Sequence, residues 1–508
     1  MRQLIILLFI GLAITVSSCR EDFVFEPSTG DLAFSRDTVY LDTVFTNIGS
    51  STYTLKVYNK SSKDIKIPTI QLGKGLNSKY RMTVDGMIGE NNRIFRDVEL
   101  LAKDSMFIFI EVTSDVADAN PTDFLYTDQI QFDSGANLQQ VELVTLIQDA
   151  YFIFPNRENG IYETIPIGFD EDNNVVETRG RNLSNNHPDN GDEFNFNTDK
   201  PYVVYGYASV PTGETLTIPG GARVHFHAES GIVVQAGATL KVEGGISSTA
   251  ALENEVIFEG DRLEPGFSDV PGQWGTIYLR QGSTNHSIKN LTIKNAIIGL
   301  LVENNFGTTM TIENTQIYNS SNVGLLARAA KIEGKNMVIN NAGEASLACT
   351  LGGNYEFKHC TFNNNWPSSR QVAVLLNNYF ELENGSTEVF PLNQADFKNC
   401  IIYGSNNFEL NIDKDDTQTF NFNFSKCLVK FGTSTLQLYA FIYADENNIR
   451  RNRNPKFLDV QKNKLNIGDD SAAKGFGINI NVPNDILGNP RSGVFDLGAY
   501  NSIVFPSN

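Results

Sequence analysis

The sequence Ser287-Ile-Lys-Asn-Leu-Thr-Ile-Lys-Asn-Ala296 decides the fold, because its pattern returns five more times downstream. The later copies occupy residues 310–320, 333–342, 357–364, 397–403 and 424–429. Their central residues, at successive steps of 24, 22, 23, 40 and 27, are Leu291, Thr315, Met337, Cys360, Cys400 and Cys427. A period near two dozen residues, made of short alternating runs without helical spacing, predicts a solenoid of β-coils. About twelve coils spaced ~4.8 Å apart would be ~60 Å long.

Glycine-punctuated runs precede these copies, at residues 216–226, 231–242, 256–258 and 273–278. The last run contains Trp274-Gly-Thr-Ile277, and the chain closes through residues 454–459, 471–477 and 485–500. Across residues 201–500 this succession resembles bacterial right-handed parallel β-helix proteins of the pectate-lyase-like superfold. The resemblance implies a fold much more strongly than a function. It also implies that Arg491 and Asp496 pair to cap the last coil.

The preceding part of the chain divides into a sandwich and a lead-in. Residues 31–149 alternate in short runs such as Phe107-Ile-Phe-Ile-Glu-Val112, which predicts an antiparallel β-sandwich. The stretches Phe45-Thr-Asn-Ile-Gly-Ser50 and Leu55-Lys-Val-Tyr-Asn-Lys-Ser61 resemble immunoglobulin-like domains of the abnormal-spindle/Hydin type, which implies a spacer or a binding module. Residues 150–200 are acidic and rich in asparagine, and we interpret them as a linker or as the lead-in to a β-helix at 201–508. The predicted fold class is all-β.

The N-terminus has the pattern of a secretion signal. Its apolar run from Leu4 to Val16 is shorter than the ~20 residues that a transmembrane helix needs. The small residues before Cys19 resemble the bacterial lipoprotein box, which implies a signal peptide at 1–18 and a lipidated Cys19. Arg20-Glu21-Asp22 resembles the surface-export signal of Bacteroidetes lipoproteins. We therefore expect a tether at 19–30 on a lipid-anchored outer-membrane protein of the cell surface. The alternative is a secreted protein with an incidental cysteine.

The net charge is −19, and −20 without residues 1–18, whose one charged residue is Arg2. Such a chain does not bind nucleic acid or anionic lipid non-specifically, so we expect no nucleic-acid partner. The charge also argues against a groove that binds polyanions, unless basic residues are concentrated locally or calcium bridges the acidic protein surface and the polyanion. Weak surface calcium at residues 170–174 or 413–416 is the one cation that we consider.

We predict no cofactor and no resident metal. His225 and His227 place two imidazoles on one face of a strand, but no third ligand is recognisable nearby. The repeat aligns three of the cysteines with interior apolar residues, so we expect buried, unpaired thiols, with disulfides as the alternative. Four positions after the central residue stands an asparagine in each of the first four copies and a glycine in the fifth. These residues, which we expect to form a stacked turn ladder, are Asn295, Asn319, Asn341, Asn364 and Gly404.

No catalytic residue is predicted. The resemblance implies a test for polygalacturonase-like carboxylates, and neither their Asn-x-Asp and Asp-Asp elements nor their Gly-His-Gly element occurs between residues 285 and 410. A polysaccharide lyase would need a basic residue, and the candidates are Lys294, Arg328 and Lys331. Without an acidic calcium cluster in neighbouring coils, we interpret these three as solvated coil edges.

The 40-residue step between Cys360 and Cys400 contains an insertion of ~15 residues beyond one coil. Loops that project from a rigid scaffold commonly bind ligands, and aromatic side chains can stack on sugars. The ligand-binding candidates in this insertion are Trp366, Arg370, Tyr379 and Phe380. The alternative is that these side chains pack over the flank of the coil.

These patterns together predict a surface lipoprotein with a non-catalytic role in binding, adhesion or scaffolding, for glycan or another surface partner. The alternative is a polysaccharide lyase, or another carbohydrate-active enzyme, that works along a groove of the coils. A third class is a structural envelope protein. An enzyme predicts a cluster of ionisable groups across adjacent coils of one sheet, whereas a binding module predicts a polar or aromatic face without one.

Overall fold

The structure is a computed structural model that describes residues 24–169, 174–305, 307–382 and 385–505. The chain divides after Asp149 into two compact units. Both units are built of β-strands, as the predicted fold class requires, with an antiparallel β-sandwich followed by a parallel β-helix. The predicted lipidation site Cys19 and the acidic positions Asp170 and Asp172 lie outside the described residues.

The helices in the described ranges are short, and none has the length and apolarity to cross a bilayer. The α-helix Phe441–Ala444 has four residues. The 3₁₀ turns are Gly75–Asn77, Val116–Asp118, Gly135–Asn137, Pro265–Phe267, Gln437–Tyr439 and Val460–Lys462.

Two sheets form the first unit. The larger sheet has, in spatial order, Glu26–Pro27, Ile65–Leu72, Leu125–Phe132, Gln139–Gln148 and Thr38–Phe45, with Ile94–Leu100 paired to Ile65–Leu72. The smaller sheet has Leu32–Phe34, Tyr53–Asn59, Ser105–Val112 and Tyr80–Val84. Most pairings are antiparallel, and the two parallel pairings join Gln139–Gln148 to Thr38–Phe45 and Glu26–Pro27 to Ile65–Leu72.

Strict alternation explains the sandwich. In Ser105–Val112, Met106 and Ile108 are buried, whereas Phe107 and Phe109 on the other face are 44% and 42% exposed. Because successive strand residues point to opposite faces, one face of each strand enters the core between the sheets.

Three sheets form the second unit. Sheet 1 contains Tyr151–Ile153, Tyr202–Val204, Arg223–Phe226, Val256–Gly260, Leu291–Lys294, Gln316–Ser320, Val338–Ala342, Thr361–Asn364, Ile401–Gly404, Cys427–Val429 and Ile449–Arg451. Sheet 2 contains Thr164–Phe169, Val175–Asn182, Tyr207–Val210, Gly231–Val234, Trp274–Leu279, Ala296–Glu303, Val323–Arg328, Ala345–Thr350, Val372–Asn377 and Leu410–Asp413. Sheet 3 contains Thr215–Pro219, Thr239–Glu243, Ser287–Lys289, Met310–Glu313, Lys331–Lys335, Gly353–Lys358, Leu392–Lys398 and Asn423–Ser425.

The chain visits sheets 1, 2 and 3 in turn, and each strand pairs in parallel with the strand one coil later. Eight coils contribute to all three sheets, and sheet 1 reaches eleven strands, so the expected dozen coils slightly overstates the array. Residues 150–200 belong to this unit, because Tyr151–Ile153 opens sheet 1 and the hairpin Thr164–Phe169/Val175–Asn182 opens sheet 2. Three small hairpins are Arg157–Glu158/Ile161–Tyr162, Tyr379–Glu381/Thr387–Val389 and Phe457–Asp459/Lys464–Ile467.

Repeat alignment places matching side chains above one another inside the coils. Cys360, Cys400 and Cys427 stack there, fully buried and unpaired, and Cys349 is also a buried free thiol. A parallel column in sheet 3 brings the ring centres of Phe397 to 5.3 Å from Phe357 and 4.7 Å from Phe424. The thiols are therefore part of the apolar core, and burial raises the pKa of Cys400 well above its ordinary value.

The asparagine ladder forms over three of its predicted positions. Asn319 Nδ2 lies 3.3 Å from Asn295 Oδ1, and Asn341 Nδ2 lies 2.8 Å from Asn319 Oδ1. All three residues have left-handed φ angles, of 64°, 56° and 62°. Asn364 differs, because its side-chain amide bonds the backbone of Ala342 instead of another asparagine: Oδ1 accepts from the Ala342 N–H, and Nδ2 donates to the Ala342 carbonyl.

A second left-handed column, which we did not predict, precedes the central residue of each copy. Its members, with φ between 46° and 54°, are Asn290, Asn314, Asn336, His359, Asn399 and Lys426. Asn336 donates to Asn314 Oδ1 at 3.0 Å, and Asn399 Nδ2 lies 3.0 Å from His359 Nε2. Sharp corners thus flank each strand of sheet 1 on both sides.

Residues 454–505, here called the C-terminal strap, pack on the outer face of sheet 1. Their apolar side chains cover outward-facing residues of six consecutive strands, from Gln316–Ser320 to Ile449–Arg451. Polar contacts pin the strap along its length: Tyr500 Oη lies 3.1 Å from Gln316 Oε1, and Asn399 exchanges two hydrogen bonds with Ile478. The strap therefore replaces solvent over half of this sheet.

The expected pairing of Arg491 with Asp496 is wrong. Arg491 is buried and donates to the carbonyls of Gly498 and Ala499 and to Asn336 Oδ1, whereas Asp496 accepts from the backbone N–H groups of Gly475 and Ser502. Both side chains organise turns of the C-terminal strap and neither caps the last coil. Backbone carbonyls satisfy the guanidinium where a carboxylate was expected.

Candidate functional site

The four ligand-binding candidates of the insertion lie at two different corners of the coil. Trp366 and Arg370 occupy the turn from sheet 1 to sheet 2, before Val372–Asn377, whereas Tyr379 and Phe380 follow that strand in a hairpin. Tyr379 Oη donates to the carboxylate of Asp413, 3.0 Å from Oδ1. The structure thus does not bring the four side chains into one site. Asp413, a candidate for surface calcium, instead has a tyrosine partner.

The lyase candidates Lys294, Arg328 and Lys331 are also dispersed. Lys294 ends a strand of sheet 1, Arg328 ends a strand of sheet 2, and Lys331 begins a strand of sheet 3. Lys294 Nζ is 3.3 Å from Glu259, and Arg328 is 3.5 Å from Glu303. Each of these two cations therefore forms an ion pair with a glutamate on its own part of the surface.

One group of ionisable side chains does span adjacent coils. It lies on the outer face of sheet 1, in the part that the C-terminal strap does not cover. The group comes from the three consecutive strands Arg223–Phe226, Val256–Gly260 and Leu291–Lys294 and from the residues that flank them. Its members are Arg223, His225, His227, Glu255, Glu259, Asp261 and Lys294. We call this set the polar strip. It is the arrangement that the enzyme alternative predicts, so its charges decide how far that alternative holds.

Within the polar strip the charges are compensated locally. His227 Nδ1 lies 2.7 Å from Asp261 Oδ2, and this hydrogen bond raises the pKa of His227. Burial lowers the pKa of His225, whose Nδ1 lies 3.3 Å from the carbonyl of Gly260. Arg223 donates only to backbone carbonyls, including those of residues 252 and 255. No group of three or more metal-binding side chains occurs in the described ranges, and the two histidines have separate partners.

A basic pocket lies at the last strand of sheet 1. The cavity has a volume of about 670 Å³ and is lined by Glu446, Asn447, Ile449, Arg450, Arg451, Asn452, Arg453, Ala472 and Phe476. Lys426 and Lys430 lie in the neighbouring strand and its flanks, and Lys426 Nζ is 5.0 Å from the ring centre of Phe476. The basic pocket thus collects three arginines in four residues, with two lysines beside them.

Aromatic rings and carbonyls hold most of these cations in place. The Arg450 guanidinium lies 4.0 Å from the ring centre of Phe476 and donates to the carbonyl of Ala472. Arg451 donates to the carbonyl of Phe431 at 3.3 Å, and its guanidinium lies 4.9 Å from the ring of Tyr443. Such contacts fix a guanidinium without neutralising its charge.

Carboxylates are missing from these contacts. In the part of the chain that the structure describes, none of Lys426, Lys430, Arg450, Arg451 and Arg453 forms an ion pair. Burial, and then the charge of Arg453, lower the pKa of Arg450. The three arginines of the lining outnumber its one carboxylate, Glu446, which creates a local positive potential although the whole chain is strongly acidic.

Sequence reasoning missed the basic pocket although its signal was visible. Arg450-Arg-Asn-Arg453 is a dense basic run in an acidic chain. The sequence alone could not show that the run ends the last strand of sheet 1, nor that its side chains lack carboxylate partners.

Two solved structures are similar to part of the chain. The ASH/PapD-like domain of human CEP192 (PapD-like domain 7) is 14% identical, with a TM-score of 0.16, over 27% of this chain and 96% of that chain. The E. coli chaperone DraB is 13% identical, with a TM-score of 0.16, over 28% of this chain and 61% of that chain. No family model matches this chain, and no curated protein matches it.

Proposed function

We propose that this protein is a lipid-anchored lipoprotein of the outer membrane, exposed at the cell surface, whose solenoid binds a glycan or a surface partner without catalysis. The basic pocket carries the proposal, because three arginines that line one cavity and form no ion pair among the described residues are suited to an anionic ligand. A rigid array of coils presents such a pocket in a fixed geometry. The secretion-signal pattern that ends at Cys19 supports export and anchoring.

A glycan array with the soluble chain, residues 20–508, tests the binding role. We expect binding that weakens as ionic strength rises, because the contact is electrostatic. Arg453→Gln should reduce it, and the matched control Arg96→Gln, which removes the same charge from the sandwich unit, should not. A chain that binds neither a glycan nor an outer-membrane protein would contradict the proposal.

The anchoring role has a separate test. In the producing cell, Cys19→Ala should abolish incorporation of a labelled fatty acid and should move the protein from the membrane fraction to the soluble fraction. Protease added to intact cells should degrade the wild-type protein if it faces outward. Retention of the label in the variant would contradict the assignment of Cys19.

The polar strip favours a second candidate function, a polysaccharide lyase. His227, held by Asp261, would take the C5 proton next to the uronate carboxyl group, a C4–C5 double bond would form as the C4–O bond breaks, and a water molecule would protonate the leaving oxygen. Because the pKa of His227 is raised, its imidazole would be the neutral base only at pH values above that raised pKa. The test is ultraviolet absorbance of unsaturated products from uronate polymers, which His227→Ala should abolish. Absence of absorbance at all pH values would exclude this candidate.

A further inference from the structure

The five cations of the basic pocket differ in how firmly they are held. Arg450 is fixed between the Phe476 ring and the Ala472 carbonyl, and Arg451 is fixed by the carbonyls of residues 431 and 432. Arg453 is exposed, and within the described residues it makes no hydrogen bond. Arg450 and Arg451 are successive residues of one strand and contact different partners, so the fixed Arg450 and the free Arg453 are the pair that can close on a planar or tetrahedral oxyanion.

The surrounding charge limits the size of the anion. The chain carries a net charge of −19, and Glu446 itself lines the cavity. At physiological salt the Debye length is about 8 Å, so the positive potential of the pocket does not extend far beyond its mouth. A long polyanion would place most of its charges against an acidic surface. A single anionic group avoids that repulsion.

We infer that the basic pocket binds the one acidic group, carboxylate or sulfate, of a glycan that is otherwise neutral. This inference rests on the proposed glycan-binding function and specifies its ligand. The acidic group lies between Arg450 and Arg453, and the neutral sugars extend out of the cavity along the end of the coils. A carboxylate source and a sulfate source share this chemistry, and the choice between them is made by the experiment.

The competing explanation is that the cations protect the end of the solenoid. Ile449–Arg451 is the last strand of sheet 1, and charged residues on edge strands prevent pairing with another chain. That role requires no ligand. It predicts that removing a charge increases self-association and leaves glycan binding unchanged.

The test is titration calorimetry with the 20–508 chain and four probes. The first probe is an oligosaccharide whose only charged group is a terminal glucuronic acid, and the second is the methyl ester of that acid. The third is the equivalent oligosaccharide with one sulfate group, and the fourth is heparin as a polyanion. We expect the free acid or the sulfated probe to bind at least tenfold more tightly than the ester, a difference of about 1.4 kcal/mol. Heparin should bind more weakly per chain than the better monoanionic probe. Equal affinity for acid, sulfate and ester, or tighter binding of heparin, would overturn the inference.

Variants separate this inference from the proposed function. Arg453→Gln should cost about tenfold in affinity for the acidic probe, since hydrogen bonds to charged groups are the stronger ones. Arg96→Gln is the control for net charge, and Arg370→Gln tests the insertion. If only Arg370→Gln abolishes binding, glycan binding stands and the pocket assignment falls. If Arg453→Gln raises self-association without changing affinity, the edge-protection explanation replaces ours. If no probe or other glycan binds, this inference falls, whereas the proposed function falls only if the chain also binds no outer-membrane protein.

Discussion

Glu409 is a buried carboxyl group whose protonation should control the stability of the solenoid. Its side chain is fully buried, and Oε1 accepts a hydrogen bond of 2.7 Å from the Asn406 N–H and a longer one from Gln371. Oε2 has no partner in the structure. Burial raises the pKa of Glu409 from 4.5 to about 8. Gly404 makes room for this carboxyl group, because a Cβ atom there would collide with Oε1.

The raised pKa fixes the sign and the pH window of the effect. In the unfolded chain Glu409 loses its proton near pH 4.5, whereas in the folded chain it keeps the proton until about pH 8. The stabilisation is therefore fully present below pH 4.5 and is lost as the pH rises to about 8. At 1.36 kcal/mol per pH unit, the wild type should lose on the order of 4–5 kcal/mol across this interval from this one group.

Glu409→Gln should remove that loss. The amide keeps an acceptor for the Asn406 N–H and places a donor where Oε2 now lacks a partner. We expect the variant and the wild type to be similarly stable near pH 5, and the variant to be more stable at pH 8 by several kcal/mol, on the order of the linkage estimate. The matched control is Glu388→Gln, an exposed glutamate of the hairpin after sheet 2, which should follow the wild type.

The assay can observe the solenoid alone. The two tryptophans of the chain, Trp274 and Trp366, both belong to the second unit, so urea unfolding followed by tryptophan emission reports on that unit. Midpoints are measured from pH 5 to pH 8.5 for all three proteins. If Glu409→Gln and the wild type lose stability in parallel, the reasoning about Glu409 is refuted.

Three further predictions concern the core and the corners. Asn319→Ala should destabilise the solenoid by about 2 kcal/mol in urea unfolding, because the variant loses two ladder contacts and strains a left-handed backbone position. Asn319→Gly should recover about half of that loss, because glycine adopts the left-handed angle without strain. Equal stability of the two variants would contradict the role of the backbone angle. Phe397→Ala should cost about 3–5 kcal/mol, measured in the same way, because its ring lies between two others. The four solenoid cysteines of the 20–508 chain should react with a thiol reagent only after denaturation, and rapid labelling of the native protein would show that the coil interior opens.

The sequence predicts those features that recur at a fixed spacing. The repeat correctly places Cys360 and Cys400 inside the coil and Asn319 at a corner, because each coil returns equivalent residues to equivalent positions. The second left-handed column recurs just as regularly, one residue before each central position. Its asparagines at 290 and 314 are the signal in the sequence that would have revealed it.

Features that depend on distant partners could not be predicted in this way. Glu409 looks like any surface glutamate until the fold brings it against Gly404 of its own coil and Gln371 of the neighbouring coil. Arg491 looked like half of an ion pair because carbonyl partners leave no mark in a sequence. The basic pocket needed both the position of Arg450 on the last strand and the absence of nearby carboxylates among the described residues.

The C-terminal strap changes how the array of coils can assemble. In a simple solenoid each coil depends on its two neighbours, so folding can proceed from one end as the chain emerges. Here the outer face of six strands of sheet 1 is covered only by residues 454–505, which follow all eleven strands of that sheet in the chain. Until they arrive, an apolar band that includes Val338, Ile401 and Leu428 stays uncovered. The strap thus couples the protection of sheet 1 to the synthesis of residues 454–505: a chain interrupted before them would expose this apolar band to chaperones and proteases.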